Sequence, residues 1–160
     1  MERLYTIGAY GFAAEGFFAA LTDSRIDLFL DIRRRRGIRG PLYTFGNAGR
    51  LQKELAARGI TYRHVLDLAP DEETRAFQRQ ADEASGQPRR DRAELSGAFA
   101  RAYTHRTIDS FDWDALIADL ETVQRPVLFC VERTPDACHR GLVAARLAAL
   151  TGVPVTHLTP

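Results

Sequence analysis

PVLFCVERTPDACHRGLVAARL, residues 126–147, is the stretch whose reading decides the fold. Val127 to Cys130 is a short apolar run bounded by Pro126, which predicts a buried strand. Val131 to Pro135 is polar, with Glu132 placed where the strand runs out. From Asp136 to Leu150 apolar residues recur at helical spacing, so the spacing predicts a helix with Cys138, His139 and Arg140 in its first turn. That turn exposes unpaired backbone N–H groups and the positive end of the helix dipole. A thiol in such a place, beside Arg and His, is a better nucleophile or metal ligand than an ordinary one. Arg140 adds a planar fork of donors suited to carboxylate or phosphate. A lone cysteine is more often a small buried residue. Four such side chains around one strand-to-helix turn point instead to a functional site: Glu132, Cys138, His139 and Arg140.

Upstream, Ile26 to Ile32 reads IDLFLDI, and its near-continuous apolar character suits a strand covered on both faces of a parallel sheet. Asp31 interrupts it near the carboxyl end, where ligands of open α/β sheets bind, so Asp31 joins the candidates. Next come Arg33 to Arg36 and Arg39, the densest positive patch, which Gly37, Gly40 and Pro41 place on a loop. Arg33, Arg36 and Arg39 are read as anion-binding residues, with Tyr43 and Phe45 nearby to stack on a base. The bland alternative is a solvated loop. Leu4 to Ile7 predicts another strand, ending at Gly8; a glycine turn there admits a phosphate but lacks the GxGxxG spacing.

The remaining pattern alternates in the same way. Phe12, Phe17, Phe18 and Leu21 mark a helix, and Asn47 is placed to cap a second one that stops at Gly59. Ile60 to Leu66 predicts a strand, Phe111 to Val123 a helix, and Pro154 to Leu158 a last strand. Residues 70–106 are charged and mostly helical, an insertion or lid over the sheet's carboxyl edge, or a dimer surface. The expectation is a single α/β domain over residues 1–160, with a mainly parallel sheet of about five strands flanked by helices.

At 160 residues and 45% hydrophobic, the chain suffices for one domain with a substantial core. A net charge of +1 demands no nucleic-acid or membrane partner. Lys53 is the only lysine, an arginine habit that reflects base composition as readily as nucleic-acid binding. No stretch approaches the roughly 20 apolar residues of a membrane helix. Met1 to Leu4 leads directly into a strand rather than a signal peptide, so a cytoplasmic chain with reduced thiols is expected.

Thr6-Ile7-Gly8, Asp31-Ile32-Arg33, Gly59-Ile60-Thr61-Tyr62 and the set Cys130, Val131, Glu132, Pro135, Cys138, His139 and Arg140, followed by the terminal VTHL, together resemble the domain of unknown function 488 (DUF488) family. The resemblance spans nearly the whole chain and looks like a divergent branch. Where the family has a prolyl, serine-containing loop after DxR, this chain has RRRGIRG, and Leu68-Ala69-Pro70 replaces a leucine-glycine-glycine segment. It implies an α/β domain, enzymatic or ligand-binding, and supplies no reaction.

Four readings follow. The first is an enzyme or ligand-binding protein with an anion-binding crevice at the carboxyl ends of the strands. Its substrate would be phosphate-bearing, a nucleotide or nucleic acid, with Asp31 or Glu132 as acid or base, Cys138 as nucleophile and His139 beside it. Phosphatase and sulfurtransferase loops place an arginine six residues after a strand-end cysteine, and six after Cys130 is Asp136, which excludes close kinship. The second is a nucleic-acid-binding module using Arg33 to Arg39. The third is a metal site at Cys130, Cys138 and His139, with His64 or His157 as candidate further ligands; the spacing is not a standard zinc spacing, so no metal ligand is assigned. The fourth makes Asp31, Arg33, Glu132 and Arg140 a structural ion-pair network. No cofactor is named by the sequence, and oligomeric state is open.

Overall fold

The computed structural model describes residues 1–86, 88 and 91–160. At its centre lies β4 (Pro126–Cys130), buried along its whole length. β1 (Leu4–Gly8) and β2 (Leu28–Asp31) pair with it on either side; β5 (Val155–Leu158) extends the sheet beyond β1, and β3 (Thr61–His64) beyond β2. The order is β3-β2-β4-β1-β5, and every pairing is parallel. The expected single α/β domain with a parallel five-stranded sheet is the architecture found.

Alternation along the strands divides the core in two. Ile7, Phe29, Val127 and Phe129 face Phe17, Phe18 and Leu21 of α1 (Ala14–Asp23) and Leu51 and Leu55 of α2 (Ala48–Ala56). Leu4, Leu28, Leu30 and Leu128 face the other way, towards α4 (Gly97–Tyr103), α5 (Trp113–Asp119) and α6 (His139–Thr151). The near-continuous apolar runs are therefore explained: the inner strands are covered on both faces.

Chain connectivity places the site. The connection from β1 crosses to β2 on one side, while that from β4 crosses to β5 on the other. Adjacent strands whose connections leave in opposite directions open a crevice at their carboxyl ends. The pairs Gly8↔Cys130 and Asp31↔Phe129 mark that edge.

Three boundaries differ from those expected. The helix after β4 starts at His139 rather than Asp136, and Cys138 is its N-cap in extended conformation. Residues 131–138 are spent on turns, closed by Cys138 N–H donating to Pro135 O at 3.1 Å. Gly141 lets that turn pack down, since a Cβ there would lie 2.6 Å from the Pro135 carbonyl oxygen. Asn47 occupies the N-cap of α2 but does not cap it; its Oδ1 accepts from Ile38 N–H at 2.7 Å and holds the arginine loop. The Phe111–Val123 helix is shorter, confined to α5, and is preceded by a π-helical turn at Thr104–Ile108. In the charged segment, α3 (Glu72–Ser85) and α4 carry the expected helices, while Gln87, Arg89 and Arg90 lie outside the described residues.

Candidate functional site

The carboxyl edge of β4 brings three donor atoms together. Cys130 ends the strand, Cys138 caps α6 and His139 opens it, and their Sγ, Sγ and Nδ1 atoms all lie within 4.8 Å of one another. His139 Nδ1 is 3.8 Å from Cys130 Sγ and 3.9 Å from Cys138 Sγ. The ring is oriented from behind. Its Nε2 sits 3.1 Å from the Ile32 carbonyl oxygen, which only accepts, so Nε2 carries a proton and Nδ1 faces the sulfurs. Tyr103 packs edge-on against the imidazole, with ring centroids 5.4 Å apart, and its hydroxyl donates to Leu68 O at 2.6 Å. All three donors are buried, Cys138 to 1% exposure.

Glu132 borders this cluster. Its Oε2 accepts from the Cys130 thiol at 3.3 Å, and its Oε1 faces Arg92 Nη2 at 3.3 Å. Arg92 also reaches Asp82 at 2.9 Å and donates to Ala137 O, and Leu95 N–H donates to Asp136 O. Arg92 and Leu95 thus rest on the 132–137 connection. Arg92 carried no signal in the sequence, because it stands in a run of charged residues that reads as surface.

Electrostatics couple the two thiols. Burial pushes Cys130 well above an ordinary thiol, and the neighbouring Cys138 and Glu132 push it further. Burial acts on Cys138 in the same direction, but the Cys130 thiol, the Arg140 guanidinium and His139 outweigh it, and Cys138 titrates well below an ordinary thiol. Burial lowers His139, yet the Cys138 thiolate beside it leaves its pKa raised. The Cys138 sulfur, shifted down, and the His139 ring, shifted up, thus face each other across 3.9 Å.

The other sequence candidates are engaged elsewhere. Arg33 closes a fork on Asp31, with Nε to Oδ1 at 2.8 Å and Nη2 to Oδ2 at 2.7 Å. Its Nη1 donates to Gly46 O at 2.9 Å, and its guanidinium lies over the Phe129 ring at 4.5 Å. Tyr62 adds a hydroxyl to Asp31 Oδ2 at 2.9 Å. This is the Asp31–Arg33 half of the network in the fourth reading; Glu132 pairs instead with Arg92, and Arg140 with main-chain carbonyls. Arg140 is also turned inward: Nη1 donates to Glu132 O at 2.7 Å and Nη2 to Arg133 O at 3.1 Å, while Nε finds no partner among the described residues. Gly8 lies under the same loop, and a Cβ there would overlap the Glu132 carbonyl oxygen and sit 3.1 Å from Arg140 Nη2. The close approach at Gly8 is made by the chain itself. His64 bonds the Arg33 carbonyl and His157 bonds Thr6, so neither enters the cluster. Arg36 and Arg39 are exposed on their loop, and the Tyr43 hydroxyl accepts from Gly11 N–H at 3.4 Å.

Two surface clefts, of about 420 and 400 Å³, are lined by Glu2, Arg3, Arg25 and Arg125 and by Arg63, Asp112 and Asp119; neither reaches the cluster. No helix among the described residues is long and apolar enough to cross a membrane.

No curated protein and no solved structure matches the chain. The model of one family does match it, over residues 13–147 and hence over the strand, the turn and the helix start that carry the cluster, and the chain belongs to that family, the domain of unknown function DUF488.

Proposed function

We propose that this protein holds a transition-metal ion at Cys130, Cys138 and His139, and that this centre is the seat of its activity. The observation that carries the reading is dimensional. Zinc binds thiolate sulfur at about 2.3 Å and imidazole nitrogen at about 2.0–2.1 Å, so a tetrahedral site has sulfur–nitrogen edges of roughly 3.6 Å, within about 0.3 Å of those found, and sulfur–sulfur edges of roughly 3.8 Å. The two sulfur–nitrogen edges here are 3.8 and 3.9 Å. Two thiolates with one imidazole suit zinc and its soft neighbours over magnesium or calcium. The Ile32 carbonyl fixes the ring as outer partners of metal-bound histidines do. Three protein ligands leave a fourth position, and Glu132 is the carboxylate beside it, 3.3 Å from Cys130 Sγ. A metal held there would supply Lewis acidity, and Glu132, paired with Arg92 and beside Cys130, would be the nearby carboxylate to carry a proton.

An anion-binding crevice acting on a phosphate-bearing substrate has one observation behind it, the low-titrating Cys138 beside His139. Geometry weighs the other way. Arg140 spends its terminal nitrogens on loop carbonyls, Arg33 is saturated by Asp31, and Cys138 is 1% exposed. A monatomic cation needs no cleft.

Metal content measured by plasma mass spectrometry on untagged protein, purified without added metal, tests the proposal. One ion per chain is expected, with Cys138→Ser and His139→Ala each weakening retention at least about tenfold. Protein that carries no transition metal and takes up none on titration overturns it.

A further inference from the structure

From Ile32 to Lys53 the chain has seven basic residues and no acidic one. The remaining fifteen basic residues face all 21 acidic ones, so the chain's small net charge conceals one strongly positive segment and a negative remainder. Such asymmetry is a footprint of polyanion binding. Folding turns one of the seven inward, Arg33 on Asp31, and leaves Arg34, Arg35, Arg36, Arg39, Arg50 and Lys53 at the surface.

The segment is held in shape. Arg36 O accepts from Ala48 N–H at 2.9 Å and Ile38 N–H donates to Asn47 Oδ1 at 2.7 Å, which docks the loop on the start of α2. Ile38 is buried, and Gly40, at φ +99°, turns the chain into the 3-10 segment Pro41–Gly46. Arg34 is steadied by the Pro70 carbonyl, and Arg50 by the Thr44 hydroxyl. Beside these cations, Leu42 stands 75% exposed, and Tyr43 lies edge-on to Tyr10 at 5.1 Å. A cationic loop built around an exposed apolar residue is therefore a formed surface.

We propose that this surface binds single-stranded nucleic acid, the arginines on phosphates and Leu42 with Tyr43 against unpaired bases. Phosphate contacts supply the affinity. The preference for a single strand follows from shape: a short loop, rather than a helix or a two-stranded ribbon, is offered, and the base faces that would cover Leu42 are accessible only when unpaired. The surface is distinct from the Cys130–Cys138–His139 cluster, and the proposal does not depend on a metal there.

Fluorescence anisotropy tests it, using a labelled mixed-sequence single strand, the same strand annealed to its complement, and phosphatidylserine vesicles as a competing anionic surface. The expected result is tighter binding to the single strand than to the duplex, with log K falling against log salt at a slope of about −3 for four phosphate contacts. In Arg35→Ala/Arg36→Ala/Arg39→Ala the slope shrinks by roughly 2, at unchanged melting temperature. Arg63→Ala/Arg125→Ala, which removes charge elsewhere, leaves it unchanged. If the triple variant misfolds, Arg35→Gln alone must still weaken binding. Equal affinity for duplex, capture by the vesicles in preference to the strand, indifference to the arginine substitutions, or no binding at low salt would each overturn the proposal.

Discussion

At the scale of residues, charge in this protein is directed inward before it is directed outward. Asp31 is fully buried and Arg33 nearly so, and each satisfies the other with help from Tyr62 and Gly46. Removing one partner of a buried pair strands the other, at about 3–5 kcal/mol. Arg33→Leu is therefore expected to lose about that much stability in urea unfolding, and Asp31→Leu/Arg33→Leu to lose less than Arg33→Leu alone. A double variant as damaged as the sum of the singles would refute a mutually satisfying pair. The sequence showed that Asp31, Arg33, Glu132, Cys138, His139 and Arg140 belong near one edge. Which of them face each other was not legible, because that depends on main-chain acceptors, namely Ile32 O for His139, Gly46 O for Arg33 and Glu132 O for Arg140, that any residue type supplies.

At the scale of elements, helix ends explain much of the difference between pattern and structure. Periodicity found α3 and α6, but periodicity does not see caps. Cys138 is an N-cap without a side-chain cap bond, whereas Asp71, one residue before α3, accepts from Thr74 N–H at 2.7 Å. That backbone bond, assisted by Arg106 against the cost of burial, holds the Asp71 carboxyl down to about 2 from 3.8. A depressed carboxyl stabilises the fold fully above its unfolded value and loses that contribution as pH falls towards the folded one. Asp71→Ala is expected to cost about 1 kcal/mol near neutral pH. The gap from wild type should close as the pH is lowered from 3.8 to about 2, followed by thermal melts. A gap constant through that window would mean that the carboxylate is not the cap. On the same scale, Arg92 and Leu95 hold on to the 132–137 connection through the Ala137 and Asp136 carbonyls.

At the scale of the whole molecule, alternating strands and helices made the parallel sheet legible, because runs such as IDLFLDI suit burial on both faces. Strand order was not legible. It arises from the long return from β3, which inserts β4 between β2 and β1 and sets Cys130, Cys138 and His139 at the carboxyl edge beside the Ile32 carbonyl. His139 lies nine positions after Cys130, a distance no standard zinc spacing matches, and it is the turns of residues 131–138 that close it. This closure forms the set of two sulfurs and one nitrogen that we propose holds a metal. Cobalt(II) titration of the apoprotein, followed by absorption spectroscopy, tests it most directly. Saturation at one ion per chain is expected, with sulfur-to-cobalt charge-transfer bands and the intense visible bands of a tetrahedral ion, weakened in Cys130→Ser and in Cys138→Ser. Cobalt that binds without thiolate bands, or whose spectrum survives both substitutions, would contradict it.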